Sequence, residues 1–221
     1  NMYTHKEYLG MPCQDGCGEL NNEYLNKINH VMQITTSEYN RVFAFRVDLR
    51  IPSDLDDYHR RHADDPCHRY TRGKGDISRF IESFKSIIKC DLIAKAKRGK
   101  RVHTCNPRFI WCKERSESIS CHYHMLILLN KDSYFTLGDF DSDTSMAFKV
   151  QKAWSSALGL IDVNHAMRLV HFPANSSYFI DRNSKSFGKQ YEDLFYRTSY
   201  LAKVETKEYG SKQRNFGYSL N

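Results

Sequence analysis

A chain of 221 residues is long enough for one sizeable domain and too short to carry an added motor or helicase domain. Hydrophobic residues make up 40% and aromatic residues 13% of it, with 14 Tyr and 13 Phe, which supplies a core and excludes disorder throughout. Lys and Arg number 33 against 26 Asp and Glu, a formal net charge of +7, and no stretch is apolar enough to span a bilayer. That balance favours a polyanionic partner, nucleic acid ahead of an acidic membrane surface.

Residues 1 to 19 are polar and turn-rich and are expected to form an arm. Cys13 and Cys17 frame the stretch CQDGC, but a zinc site there would need two further ligands that spacing does not identify. The seven cysteines, at positions 13, 17, 67, 90, 105, 112 and 121, form no regular disulfide framework and no signal peptide precedes them, so a reducing cytoplasm is expected. Leu20, Tyr24, Ile28, Val31 and Met32 recur at helical spacing and predict a helix over Leu20 to Gln33. Arm and helix together make a first unit, residues 1–40, ahead of a main domain over 41–221.

RVFAFRVDLRIP, residues 41–52, alternates Val42, Ala44, Arg46 and Asp48 against Phe43, Phe45, Val47 and Leu49, which predicts a strand with one apolar face, ended by Pro52. The charged stretch from Ser53 to Gly75 has no period and reads as a long loop. From Asp76 to Ala96 the residues Ile77, Phe80, Ile81, Phe84, Ile87, Ile88, Leu92 and Ile93 share one helical stripe, closed by the basic run KAKRGKR. Arg108 to Lys113 and Ser120 to Asn130 predict a hairpin turning around Ser116 to Ser118. A helix over Thr144 to Leu158, a strand over Arg168 to Phe172 and a helix over Phe187 to Val204 complete the chain. The mixed order predicts an α+β domain, a central antiparallel sheet with flanking helices.

The hairpin carries the chemistry. In CHYHMLILLN, residues 121–130, strand alternation puts His122 and His124 on one face with Leu126 and Leu128. A turn at Ser118 sets Glu114 opposite His122, and a register slipped by two residues brings Glu117 closer instead. Two imidazoles and a carboxylate leave coordination positions open and suit Mg²⁺ or Mn²⁺ acting as a Lewis acid on a phosphate oxygen. The plain alternative is a pair of histidines on a solvated strand face. In FYRTSYLAK, residues 195–203, helical spacing projects Tyr196, Tyr200 and Lys203 from one side. A tyrosine beside a divalent ion is a nucleophile toward a phosphodiester. An aromatic stripe packing on the sheet is the competing reading.

These motifs resemble the HUH endonucleases, which have two histidines flanking one hydrophobic residue and a downstream tyrosine motif. Here the motifs are HYHMLILL and YLAK, within YRTSYLAK. The early strand FAFRVDLRIP is similar to a first, non-catalytic motif of replication initiators in that class. The phrases WCKERSESISCHYHMLILLN, RLVHFPAN and SYLAKVETKEYGSKQRNFGYS more narrowly resemble the prophage and inovirus replication-protein-like family named for YagK and YfjJ.

The resemblance implies an HUH/Rep-type, ferredoxin-like core forming a nicking endonuclease domain over 41–221. It further implies a divalent ion held by His122, His124 and Glu114, attack by Tyr200 to leave a 5′-phosphotyrosine and a free 3′-OH, and neutralisation of phosphate charge or orientation of a metal-bound water by Lys203. Tyr196 is a second nucleophile in a two-tyrosine enzyme or a packing residue in a one-tyrosine enzyme. The implied role is initiation of rolling-circle replication of a phage or mobile element in the bacterial cytoplasm, with relaxase and transposase chemistry equivalent. The implied partners are single-stranded or hairpin DNA and a host helicase. Reversible transesterification needs no nucleotide, and the sequence has no P-loop. Lys95, Lys97, Arg98, Lys100 and Arg101 of the basic run are the candidates for neutralising DNA backbone. A non-catalytic DNA-binding module on the same fold, recognising an origin or promoter, is the alternative.

Overall fold

The computed structural model describes residues 2–3, 7–16, 18–52, 54–62, 75–115, 121–140, 142–204 and 214–220. Four two-residue strands come first: β1 (Met2–Tyr3), β2 (Glu7–Tyr8), β3 (Met11–Pro12) and β4 (Leu20–Asn21). β1 pairs with β4 and β2 with β3. The segment is not a free arm: Cys13 is buried in the core, and the Gln14 amide donates to Ser199 Oγ at 2.8 Å. Cys17, the other half of CQDGC, lies outside the described residues.

Helix α1 (Asn22–Glu38) starts two residues later than its spacing predicts, because Asn21 caps it by accepting from the Tyr24 amide at 3.1 Å. It also runs longer. Thr35 and Thr36 donate back to the Val31 and Met32 carbonyls at 2.6 and 2.9 Å, so their buried hydroxyls are satisfied within the helix.

Strand β5 (Arg41–Arg50) is followed by α2 (Leu55–Arg61), inside the span read as loop. Its single apolar anchor, Leu55, is buried, and a charged heptapeptide around one leucine gives no periodic signal. Next come α3 (Asp76–Lys97), β6 (Arg108–Arg115), β7 (Cys121–Asn130) and α4 (Met146–Leu158). Ser145 accepts from the Phe148 amide at 3.0 Å and so fixes the start of α4, two residues after Thr144. The turn of the hairpin, 116–120, including Glu117, lies outside the described residues. Short α5 (Val163–Met167) and β8 (Val170–His171) precede β9 (Ser177–Asp181), which no sequence signal marked. α6 (Phe187–Ser199) ends in a 3₁₀ turn over Tyr200–Ala202 rather than continuing to Val204, and β10 (Phe216–Tyr218) closes the chain.

The large sheet has the order β10-β6-β7-β5-β8, with β9 also pairing with β5, and every pair is antiparallel. With its flanking helices this is the expected α+β class. The expectation that β5 has one apolar face is corrected, because helices cover both faces of the sheet. Phe43, Phe45, Val47 and Leu49 pack with Phe80 and Phe84 of α3 and Trp154 of α4. Val42 and Ala44 pack with Leu126 and Leu128 of β7, Ile28 of α1 and Phe195 of α6. α1 therefore shares the core of the main domain. No helix among the described residues is long and apolar enough to cross a membrane.

β10 can lie against β6 because Gly217, directly opposite Trp111, has no side chain. A Cβ there would fall 2.4 Å from the indole carbons of Trp111. Gly217→Ala is expected to cost about 1–3 kcal/mol by overpacking, read as a lower urea midpoint with an unchanged slope.

Candidate metal centre

Strand pairing builds the site. β6 and β7 set Glu114 opposite His122 and Cys112 opposite His124, the hairpin register expected from a turn at Ser118. β5, on the other side of β7, sets Asp48 opposite His124 and Arg50 opposite His122. All of these residues occupy the face that α1 and α6 cover further along the sheet. Toward the Asn130 end that face is aliphatic, with Val42, Ala44, Leu126 and Leu128, and toward the His122 end it becomes polar.

Three donor atoms converge there. Glu114 Oε2 lies 3.1 Å from His124 Nε2 and 3.9 Å from His122 Nε2, and the two Nε2 atoms are 3.1 Å apart. Among the described residues this is the group that could hold a metal ion. Bonds of about 2.1 Å at right angles place neighbouring ligand atoms about 3.0 Å apart, which two edges of the triangle match, while the 3.9 Å edge between Glu114 and His122 is wider. Burial of the donors is graded, with side-chain exposures of 5% for Glu114, 12% for His124 and 23% for His122. The open side is therefore at His122.

A second carboxylate orients the histidine. Asp48 Oδ1 is 2.6 Å from His124 Nδ1, which sets Nδ1 as the protonated nitrogen and turns Nε2 toward Glu114 and His122. Burial works against an imidazolium at His124, but the hydrogen bonds and charges of Asp48 and Glu114 outweigh it and hold the group above the usual histidine range. Burial likewise opposes ionisation of Asp48, yet His124, with Arg46 and His171 in support, keeps its carboxyl below the usual range.

Tyr200 reaches this cluster from the 3₁₀ turn. Its hydroxyl donates to Glu114 Oε2 at 3.3 Å, and its ring stands edge-on to His124 with centroids 5.4 Å apart. Burial, then the charge of Glu114, raise the phenol well above its ordinary value, with Arg46 pulling the other way. The guanidinium carbon of Arg46 lies 5.6 Å from the Tyr200 ring centre.

A family model described as the YagK/YfjJ C-terminal domain matches residues 6–219. The chain belongs to that family. It is 42% identical over 197 residues to "Uncharacterized protein YagK" of Escherichia coli (strain K12), covering 89% of this chain and 92% of the relative. To "Uncharacterized protein YfjJ" of the same organism it is 33% identical over 201 residues, covering 89% and 93%. No solved structure matches the chain.

Of the residues expected to form the site, this family member brings together Glu114, His122, His124 and Tyr200. Tyr196 is on α6, one turn before Tyr200, and is 37% exposed. Lys203 is not on the helical face that its spacing suggested, because α6 has ended before it. Its backbone is extended and forms a bridge with Leu20. The basic run is placed elsewhere. Lys95 pairs with Asp91 at 2.8 Å and lies 4.2 Å from the centre of the Tyr134 ring, while Arg98 Nε donates to the Ala94 carbonyl at 3.1 Å. Together with Lys97, Lys100 and Arg101, these residues close α3, which packs on the opposite face of the sheet. Tyr134 lies just past Asn130, and Asn130 is itself six residues beyond His124 on β7, roughly 20 Å at the rise of a strand.

Asp48 and Arg46 were not anticipated as site residues. The available signal was two charged side chains on the same alternating face as Val42 and Ala44, inside a strand that is otherwise apolar between its end residues Arg41 and Arg50. Asp48→Ala is expected to weaken Mn²⁺ binding by about 10–100-fold in titration calorimetry with the circular dichroism spectrum unchanged, since the ligand would lose its orienting partner.

Proposed function

We propose that the protein is a metal-dependent, single-strand DNA nicking endonuclease and strand transferase of the HUH type. Its role on this reading is to initiate rolling-circle replication of a phage or mobile element in the bacterial cytoplasm. The observation that carries this reading is the Tyr200 hydroxyl, 3.3 Å from Glu114 at the edge of a Glu-His-His triangle. A buried packing tyrosine needs no such triangle, and a structural histidine pair needs no phenol beside it.

Glu114, His122 and His124 would hold Mg²⁺ or Mn²⁺, which supplies polarisation of the scissile phosphate. Tyr200 supplies the nucleophilic oxygen. A bond forms from that oxygen to phosphorus as the bond to the 3′ oxygen breaks, and the phenol proton, held in a hydrogen bond to Glu114 before attack, ends on the departing oxygen to give the free 3′-OH. The phosphotyrosine ester keeps the energy of the phosphodiester, so the reverse step can rejoin a strand without a nucleotide. Asp48 holds His124 in place throughout, and Arg46 lies on the Tyr200 ring as a fixed positive charge.

The placement of the tyrosines favours the one-tyrosine form, because Tyr196 is exposed a turn away while Tyr200 touches the cluster. With labelled single-stranded DNA and Mn²⁺, a covalent protein–DNA band is expected on a denaturing gel. EDTA and Tyr200→Phe should abolish it, and Tyr196→Phe should leave it within about twofold. A metal-independent band, or one that survives Tyr200→Phe, would overturn the assignment. Retention of DNA in a native gel with no covalent band on any origin-derived substrate would instead point to a non-catalytic binding module.

A further inference from the structure

β5 presents Arg46, Asp48 and Arg50 at alternate positions, so all three share the face of the metal-binding histidines. Two polar rows cross the sheet there. One runs from His171 of β8 through Asp48 to His124. The next runs from Arg50 through His122 to Glu114. Arg50 and His171 are exposed, and both lie on the side of the triad away from β6.

Arg46 is an unusual residue for the place it occupies. It is 4% exposed, yet its Nη2 makes only 3.4 Å contacts, to Asp48 Oδ1 and to the His124 nitrogen that Asp48 already engages. Its Nε is buried with no hydrogen-bond partner among the described residues. A guanidinium has five N–H donors, and a buried one left without an acceptor, as at Nε, is costly unless a further acceptor arrives. The acceptor must come from the open side of the site. An anion with several oxygens fits, because the donors lie in a planar fork.

We infer that Arg46 and Arg50, with His171 at the outer end, form a phosphate track on the site face of β5 that holds the backbone of a single nucleic-acid strand beside the triad. The inference rests on the nicking reading and adds where the strand lies: it leaves the triad across β5 toward β8. Arg46 pairs with Asp48, with His171 in support, and so offsets a negative charge that would otherwise repel the strand, while Arg50 follows two positions beyond Asp48 on the same face. The charge-rich run at the end of α3 is on the other face and at the other end of the sheet, so it does not continue this track.

Arg50 is the residue to test, since it is exposed and its removal leaves the core untouched. Binding of a fluorescent single-stranded oligonucleotide would be followed by anisotropy in Mn²⁺ over a range of salt, in a Tyr200→Phe background so that no bond is broken. Arg50→Ala is expected to weaken binding about tenfold and to reduce the slope of log affinity against log salt by about 0.7, the value for one phosphate contact on a single strand. Arg50→Lys should restore the slope. A variant with Lys97, Arg98, Lys100 and Arg101 all changed to Ala should bind as the parent does. Unchanged affinity and slope in Arg50→Ala, or a loss confined to the α3 variant, would overturn the track. If the track variants behave as expected while the parent with Tyr200 intact forms no covalent band, the nicking reading fails and the track stands.

Discussion

The pairing of β5 with β7 is the constraint on which the site depends. Nine residue pairs run in register from Val42 opposite Asn130 to Arg50 opposite His122. A slip of one residue would carry His122 and His124 to the other face, among Phe80, Trp111 and Trp154, and would remove Asp48 from His124. The register is held because both faces are packed. Large aromatic and aliphatic side chains fill the side toward α3 and α4, and smaller ones fill the side toward α1 and α6, so neither set can exchange with the other without leaving cavities on one side and clashes on the other.

On this frame the polar end of the sheet is an expense that stability alone would not select. Glu114, His124, Asp48 and Arg46 have side-chain exposures between 5% and 16%, and burying such groups is unfavourable unless each is paired. The same two strands show the cheaper solution a few residues away, where Val42, Ala44, Leu126 and Leu128 pack without any polar atom. Two carboxylates sit within reach of one imidazole, and a phenol donates to one of them. That arrangement is satisfied within itself only in part, because Arg46 keeps a buried Nε without a partner among the described residues. Glu114, His122 and His124 form a group that could hold a metal ion, and the Arg46 guanidinium, paired with Asp48, lies beside it.

Much of the fold could be read from periodicity. The stripe of Ile77, Phe80, Phe84 and Ile88 marks α3 to within a residue or two, and the alternations in 41–52 and 120–130 mark the two central strands. Elements that went unread share a physical cause. α2 has one buried leucine among charges, and β9 and β10 are short and gain their place from pairing with β5 and β6 rather than from local preference. The ends of helices shifted where a side chain capped them, as Asn21 and Ser145 do, or where the chain turned to meet another segment, as at Tyr200.

His122, His124 and Glu114 were legible because strand alternation and a hairpin turn are local rules acting within about ten residues. Family membership was legible for a related reason, since its motifs are contiguous phrases. What the sequence by itself determined is therefore the α+β class, the hairpin and the donor triad it carries. Tertiary structure alone decided that Asp48 orients His124, that Tyr200 and not Tyr196 touches the cluster, that Lys203 leaves the helix, and that the basic run of α3 faces away while Arg46 and Arg50 face in. Each of these depends on which strand lies beside β7 and on where α6 stops. Those are outcomes of packing between segments about 75 to 85 residues apart in the chain, a separation at which local spacing carries no information.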